Sequence, residues 1–183
     1  MADLFFIIFI KKTMHRFVLG VTLLFLTCQG FGQNLAPAGT LPDYIRLGTI
    51  PDFVTYKAPD STLFTPKDIH KNKPTLLMIF SPECSHCQHA TAELLKDIRH
   101  FRNTQIIMVT WLPYKEMMAF YRDYKIADHP EITMTWDPKF FFIPYYHVRM
   151  YPTMVVYDKE GKYVQSFSGE IQLSDVWKAI GSK

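Results

Sequence analysis

Thr75-Leu76-Leu77-Met78-Ile79-Phe80-Ser81-Pro82-Glu83-Cys84-Ser85-His86-Cys87 decides how this chain folds. Thr75 to Phe80 is strand-like, and the apolar run from Leu76 to Phe80 suits a strand buried on both faces. Gln88 to Phe101 predicts a helix, with Ala90, Leu94, Leu95, Ile98 and Phe101 at helical spacing toward a sheet. Cys84 and Cys87 thus stand where a strand passes into a helix. A thiol at a helix N-terminus faces free N–H groups and the positive end of the macrodipole, which stabilise a thiolate. The second thiol, one turn on, is close enough to close a small disulfide ring. Two cysteines at this spacing also serve zinc sites and structural bridges, so the rest of the chain must discriminate.

Far downstream, Tyr151-Pro152-Thr153 opens a second apolar run, Met154-Val155-Val156-Tyr157, which ends in the turn Asp158-Lys159-Glu160-Gly161. With Pro51-Asp52-Phe53 and Lys73-Pro74, these landmarks resemble the thioredoxin superfamily. Within it, the likeness is to the exported TlpA/ResA-like and redoxin (AhpC-TSA-type) group. It covers roughly the last 130 residues, the size of one ordinary domain.

The resemblance implies an α/β thioredoxin-like fold, a central mixed β-sheet flanked by helices. It implies a thiol-disulfide oxidoreductase, with Cys84 as nucleophile and Cys87 as resolving thiol, the two forming a Cys84–Cys87 disulfide when oxidised. Pro152 is expected cis, so that the backbone of Tyr151 pairs with substrate beside the dithiol, with Thr153 as a second substrate-binding residue. His86 lies between the cysteines, as in DsbA-like oxidants. An imidazolium there favours the thiolate and makes the disulfide more oxidising. The partners implied are disulfide-bearing or dithiol proteins and a membrane or periplasmic thiol electron donor. No cofactor and no metal are expected, and a monomer is.

Three positions depart from the family pattern. Met78 stands where many thioredoxins bury an Asp, Ala90 where ResA-like proteins carry a Glu, and Glu83 where a Trp is common. The proton acceptor for Cys87 is left unassigned. Two other functions stay open. A Sco-like copper-binding reading joins Cys84 and Cys87 to His147. A peroxiredoxin-like reading uses Ser81, three residues before Cys84, although the proline of that family falls at Leu77.

At 183 residues, 48% hydrophobic and 15% aromatic, the chain holds one dense domain plus an extension. The formal charge of +3 resides mostly in the leader: residues 1–32 carry Lys11, Lys12 and Arg16 against Asp3. Removing them from 20 basic and 17 acidic residues leaves 17 and 16, near +1. No basic run with interleaved aromatics appears, so no nucleic-acid partner is expected.

Residues 1–32 read as a leader for export to the periplasm, with Met14 as a second candidate start. Met14-His15-Arg16 is a basic n-region, Phe17 to Thr27 is too short to span a bilayer, and Gly30-Phe31-Gly32 allows cleavage before Gln33. An uncleaved anchor and a lipidated Cys28 are the alternatives. With the leader removed, Cys84 and Cys87 are the remaining cysteines, which suits a catalytic pair in an oxidising compartment.

Residues 33–48, rich in Pro, Gly and small side chains, read as a linker or arm before the domain at 49–183. Within the domain the expected order is a strand at 51–56, a helix starting at Thr65-Pro66, and then the strand–CxxC–helix unit. A strand at 105–110, a helix at 113–124 and a strand at 132–136 follow. A Pro144-interrupted segment, a hairpin at 153–167 and a helix at 173–180 capped by Ser174 or a neighbour complete it. Trp111, Tyr114, Tyr145 and Tyr146 are candidates for a groove beside the thiols.

Overall fold

A computed structural model describes residues 41–181. The expected leader, Met14, Cys28 and the cleavage point before Gln33 lie outside the described residues.

The described residues build a seven-stranded mixed sheet in the order β2-β1-β5-β4-β3-β6-β7. Its centre is β3 (Thr75–Ile79), β4 (Gln105–Thr110) and β5 (Ile132–Trp136), all parallel. Each of these strands leads toward a helix or helical turn: α2 (Ser85–Lys96) after β3, α3 (Tyr114–Asp123) after β4, and α4 (Phe142–Tyr145) after β5. β6 (Thr153–Tyr157) then pairs antiparallel with β3, and β7 (Tyr163–Ser168) pairs antiparallel with β6. α5 (Leu173–Gly181) closes the described chain. β1 (Thr55–Lys57) and β2 (Leu63–Phe64) form the antiparallel edge beside β5.

β3 and β4 are buried at every residue, as continuous apolar runs require. Alternation divides their side chains between two cores. Leu76 and Met78 pack with Cys87, Ala90 and Leu94 of α2, Met117 and Phe120 of α3, and Val176 of α5. Leu77 and Ile79 face the other way, onto Phe53, Phe142 and Tyr146. Register places Met154, Met78, Met108 and Met134 side by side across four strands, all in the core that holds Cys87. Flexible thioethers suit the uneven underside of a helix.

Several boundaries differ from expectation for local reasons. The first strand is confined to Thr55–Lys57, because Phe53 is drawn into the second core while Val54 faces solvent. Thr65 does open a helical turn, and Asp68 Oδ2 accepts from its N–H at 2.8 Å and its hydroxyl at 2.9 Å. The helix ends after Pro66–Asp68, with Ile69 extended. α2 stops at Lys96, and a separate 3₁₀ turn, Ile98–Phe101, carries Phe101 into the core.

Pro144 does not break its segment but lies inside α4, at the third helical position. The first N–H groups of a helix have no intrahelical acceptor, so a proline there removes nothing. Ser174 lies within α5 and is not its cap. In the stretch assigned to an arm, a one-turn helix α1 (Asp43–Arg46) buries Tyr44, whose ring meets Tyr146 at 5.3 Å and Tyr163 at 5.7 Å.

The terminal hairpin turns as its residues demand. Gly161 has φ +75°, and Asp158 Oδ1 accepts from Glu160 N–H at 3.0 Å and Lys162 N–H at 2.8 Å.

Candidate active site

The site forms where β3 ends and β6 begins. Phe80 N–H still bonds across to Val109, so the chain leaves the sheet only at Ser81. Ser81 C=O accepts from Cys84 N–H at 3.1 Å, and this turn carries the chain into α2. Cys84 is the N-cap of that helix, extended at φ −81° and ψ 119°. Its carbonyl accepts from Gln88 N–H at 3.0 Å, and its thiol is half-buried. The free N–H groups of the first turn therefore lie beside a reachable sulfur.

Cys87, one turn further, is fully buried. Both cysteines are free thiols in this structure. Burial pushes the Cys87 thiol up to about 12, opposed by a hydrogen bond from the Ser81 backbone and reinforced by the Cys84 thiol beside it. The two sulfurs are thus unlike: one reachable at a helix N-terminus, the other enclosed and protonated.

The opposite wall is the loop before β6. Tyr151–Pro152 is cis, as expected from the motif. The Cys84 thiol faces the Tyr151 carbonyl oxygen at 3.8 Å. The half-buried Tyr151 ring reaches outward, where its hydroxyl accepts from Trp111 Nε1 at 3.1 Å. Thr153, the other residue expected to bind substrate, follows Pro152 at the start of β6. It is buried, and its hydroxyl donates to Met150 C=O at 2.8 Å and meets Ser168 Oγ at 3.0 Å. That side chain braces the loop.

His86 is exposed on the first turn of α2. It lines a depression of about 130 Å³ with His89, Glu93, Glu170 and neighbours. Met78 is fully buried in the first core, so a thioether occupies the place where a carboxyl could take a proton from Cys87.

The expected groove aromatics separate. Trp111 stays exposed and meets Phe140 edge-on at 5.2 Å. Tyr114 bonds the Pro59 carbonyl at 2.7 Å. Tyr146 is buried, with its hydroxyl 2.8 Å from that of Tyr157. Tyr145 stacks on Phe141, away from the thiols' core. His147 does not gather with the two cysteines: among the described residues no group of three His, Cys, Asp or Glu side chains can hold a metal.

Sequence reasoning overlooked Asp137, directly after β5. It is 1% exposed, and burial raises its carboxyl above the ordinary value. Its Oδ2 accepts from Phe142 N–H at 3.0 Å and so starts α4. The available signal was an Asp-Pro pair closing an apolar strand, a common turn opening.

Several solved structures share this fold. A secreted Mycobacterium tuberculosis disulfide oxidoreductase homologous to E. coli DsbE has TM-score 0.60 at 15% identity, over 72% of this chain and 96% of that one. The pneumococcal exposed lipoprotein thioredoxin Etrx1 of Streptococcus pneumoniae has TM-score 0.55 at 24% identity, over 73% and 100%. MTB dsbF has TM-score 0.61 at 17% identity, over 73% and 98%. At these identities the likeness is one of fold. No curated protein matches the sequence. Residues 69–182 match the thioredoxin-like domain family, which is more than half of the chain, and the chain belongs to that family.

Proposed function

We propose that this chain is an exported thiol-disulfide oxidoreductase that exchanges disulfides with protein substrates through Cys84 and Cys87. The observation that carries this reading is the pairing of a reachable Cys84 thiol, 3.8 Å from the Tyr151 carbonyl, with an enclosed Cys87 one turn behind it. Export rests on the leader-like composition of residues 1–32 and, by analogy, on a fold shared with proteins described as secreted or exposed.

In the reducing direction, the Cys84 thiolate attacks one sulfur of a substrate disulfide. The substrate S–S bond breaks, a mixed disulfide forms, and one substrate sulfur leaves as thiolate and takes a proton. Cys87 loses its proton and attacks Cys84 Sγ. The mixed disulfide breaks, the Cys84–Cys87 disulfide forms, and the second substrate thiol is released. Two electrons pass to the substrate. A thiol donor restores the dithiol by the reverse chemistry, and oxidation of a substrate dithiol is the same sequence run backwards. The Tyr151 backbone offers a carbonyl beside Cys84 for strand-like pairing with substrate, and His86 adjusts the redox balance from the helix surface.

The test is insulin-disulfide reduction with a thiol donor. The unsubstituted protein is expected to catalyse it and Cys84→Ser is not. Equal activity in the two overturns the proposal.

A further inference from the structure

At the end of the sheet away from the thiols lies a second site. Thr75, at the start of β3, is in register with Gln105 and Tyr157, whereas Ile79, at its other end, is in register with Val109 and Thr153 beside the dithiol. Four residue steps at about 3.3 Å each separate these ends. At the Thr75 end, a depression of about 450 Å³ is lined by Lys67, Lys71, Lys73 and Lys159, with His70 and one acid, Glu160. Lys159 lies 3.8 Å from Glu160. Lys67, Lys71 and Lys73 have no ion-pair partner among the described residues. Four lysines against one carboxylate give a local excess of three charges in a domain whose charge, without residues 1–32, is near +1.

The lysine-bearing wall is held in place from within. Gln105 is buried, and its side-chain amide bonds both backbone groups of His70 at 2.8 and 2.9 Å and the Thr75 hydroxyl at 2.9 Å. Asn72 adopts φ +64° at the tip. A like-charged loop fixed by a buried amide presents its cations in common, as an anionic partner requires.

We propose that this lysine-rimmed depression binds the phosphate headgroups of an anionic membrane surface, holding the dithiol end away from the bilayer. One feature favours a bilayer over a soluble anion. Ile50 and Ile69 also line the depression, apolar side chains suited to the acyl boundary just beneath the headgroups. The inference is independent of the thiol chemistry.

The test is acetylation footprinting of lysines by mass spectrometry on the full chain. Vesicles of phosphatidylcholine containing phosphatidylglycerol are compared with pure phosphatidylcholine. Lys67, Lys71, Lys73 and Lys159 are expected to be protected severalfold by the anionic vesicles, and Lys115, Lys125 and Lys178 to react as before. High salt should remove the protection. Lys71→Glu with Lys159→Glu should weaken vesicle binding at least fivefold, whereas Lys115→Glu with Lys125→Glu should not. Protection spread evenly over all lysines, equal on neutral vesicles, or absent overturns the proposal. Protection by inorganic phosphate with vesicles inert assigns the depression to a soluble anion and overturns it equally.

Discussion

The thiol of Cys84 and the backbone carbonyl of Tyr151 stand 3.8 Å apart across 67 residues of sequence. The contact joins the N-terminus of α2 to the loop before β6, because β3 and β6 are antiparallel neighbours in the sheet and β3 ends where β6 begins. A substrate strand laid along Tyr151 would therefore bring its own sulfur to Cys84.

The first prediction concerns the inequality of the two sulfurs. Brief iodoacetamide treatment of the reduced native protein should label Cys84, with Cys87 modified only after unfolding. Cys87→Ser should accumulate mixed disulfides through Cys84, visible by mass spectrometry. Equal labelling of both thiols in the native state would count against the assigned roles.

The second follows from the buried Cys87 thiol, raised from 9.0 to about 12. The folded state holds this proton more tightly than the unfolded state. Its contribution to stability is therefore complete below about pH 9 and is lost as pH rises toward about 12. Urea midpoints of the reduced protein should fall across that window, and Cys87→Ala should flatten the fall. An unchanged slope in the variant would refute this.

Asp137 supplies the third. Burial raises its carboxyl, so protonation favours the fold, and the ionised form costs stability as pH climbs above the ordinary value of 3.8. Asp137→Asn keeps an acceptor for Phe142 N–H without the charge, so it should match or exceed the natural protein at neutral pH. Asp137→Ala leaves that N–H without its acceptor and should cost about 1–3 kcal/mol. Chemical denaturation of both variants checks the order.

Met78 is fully buried, and it pairs in register with Met108 and Met154. Met78→Ala should destabilise by about 2–5 kcal/mol through the cavity left under α2. A loss below 1 kcal/mol would mean that the flanking methionines refill the space.

His86 is expected to tune the redox equilibrium from the helix surface. His86→Ala should remove a cation that favours the reduced form and make the pair more reducing in glutathione equilibria. Because His86 is exposed, the change should shrink with added salt. An equilibrium constant indifferent to the substitution would remove His86 from the site.

Local sequence determined the parts that depend on a short stretch of chain. The apolar runs of β3, β4 and β6 are each long and pure enough to be core strands in any context, and their bounds lie within a residue of expectation. The junction at Cys84 was legible for the same reason: a strand, a turn and a helix follow one another without a long loop. Tertiary structure decided what depends on distance. Pro144 could enter a helix only because its position spared the hydrogen bonds, and Asp137 became a buried cap only once β5 delivered it beside α4. Thr153 turned inward because Met150 and Ser168 lie within reach of its hydroxyl. The lysine depression was least visible of all, since Lys159 joins Lys67, Lys71 and Lys73 only when the antiparallel pairing of β6 with β3 returns the chain to the start of β3. Charge adds through space, so a chain that reads as nearly neutral along its length still concentrates cations at one end of its sheet.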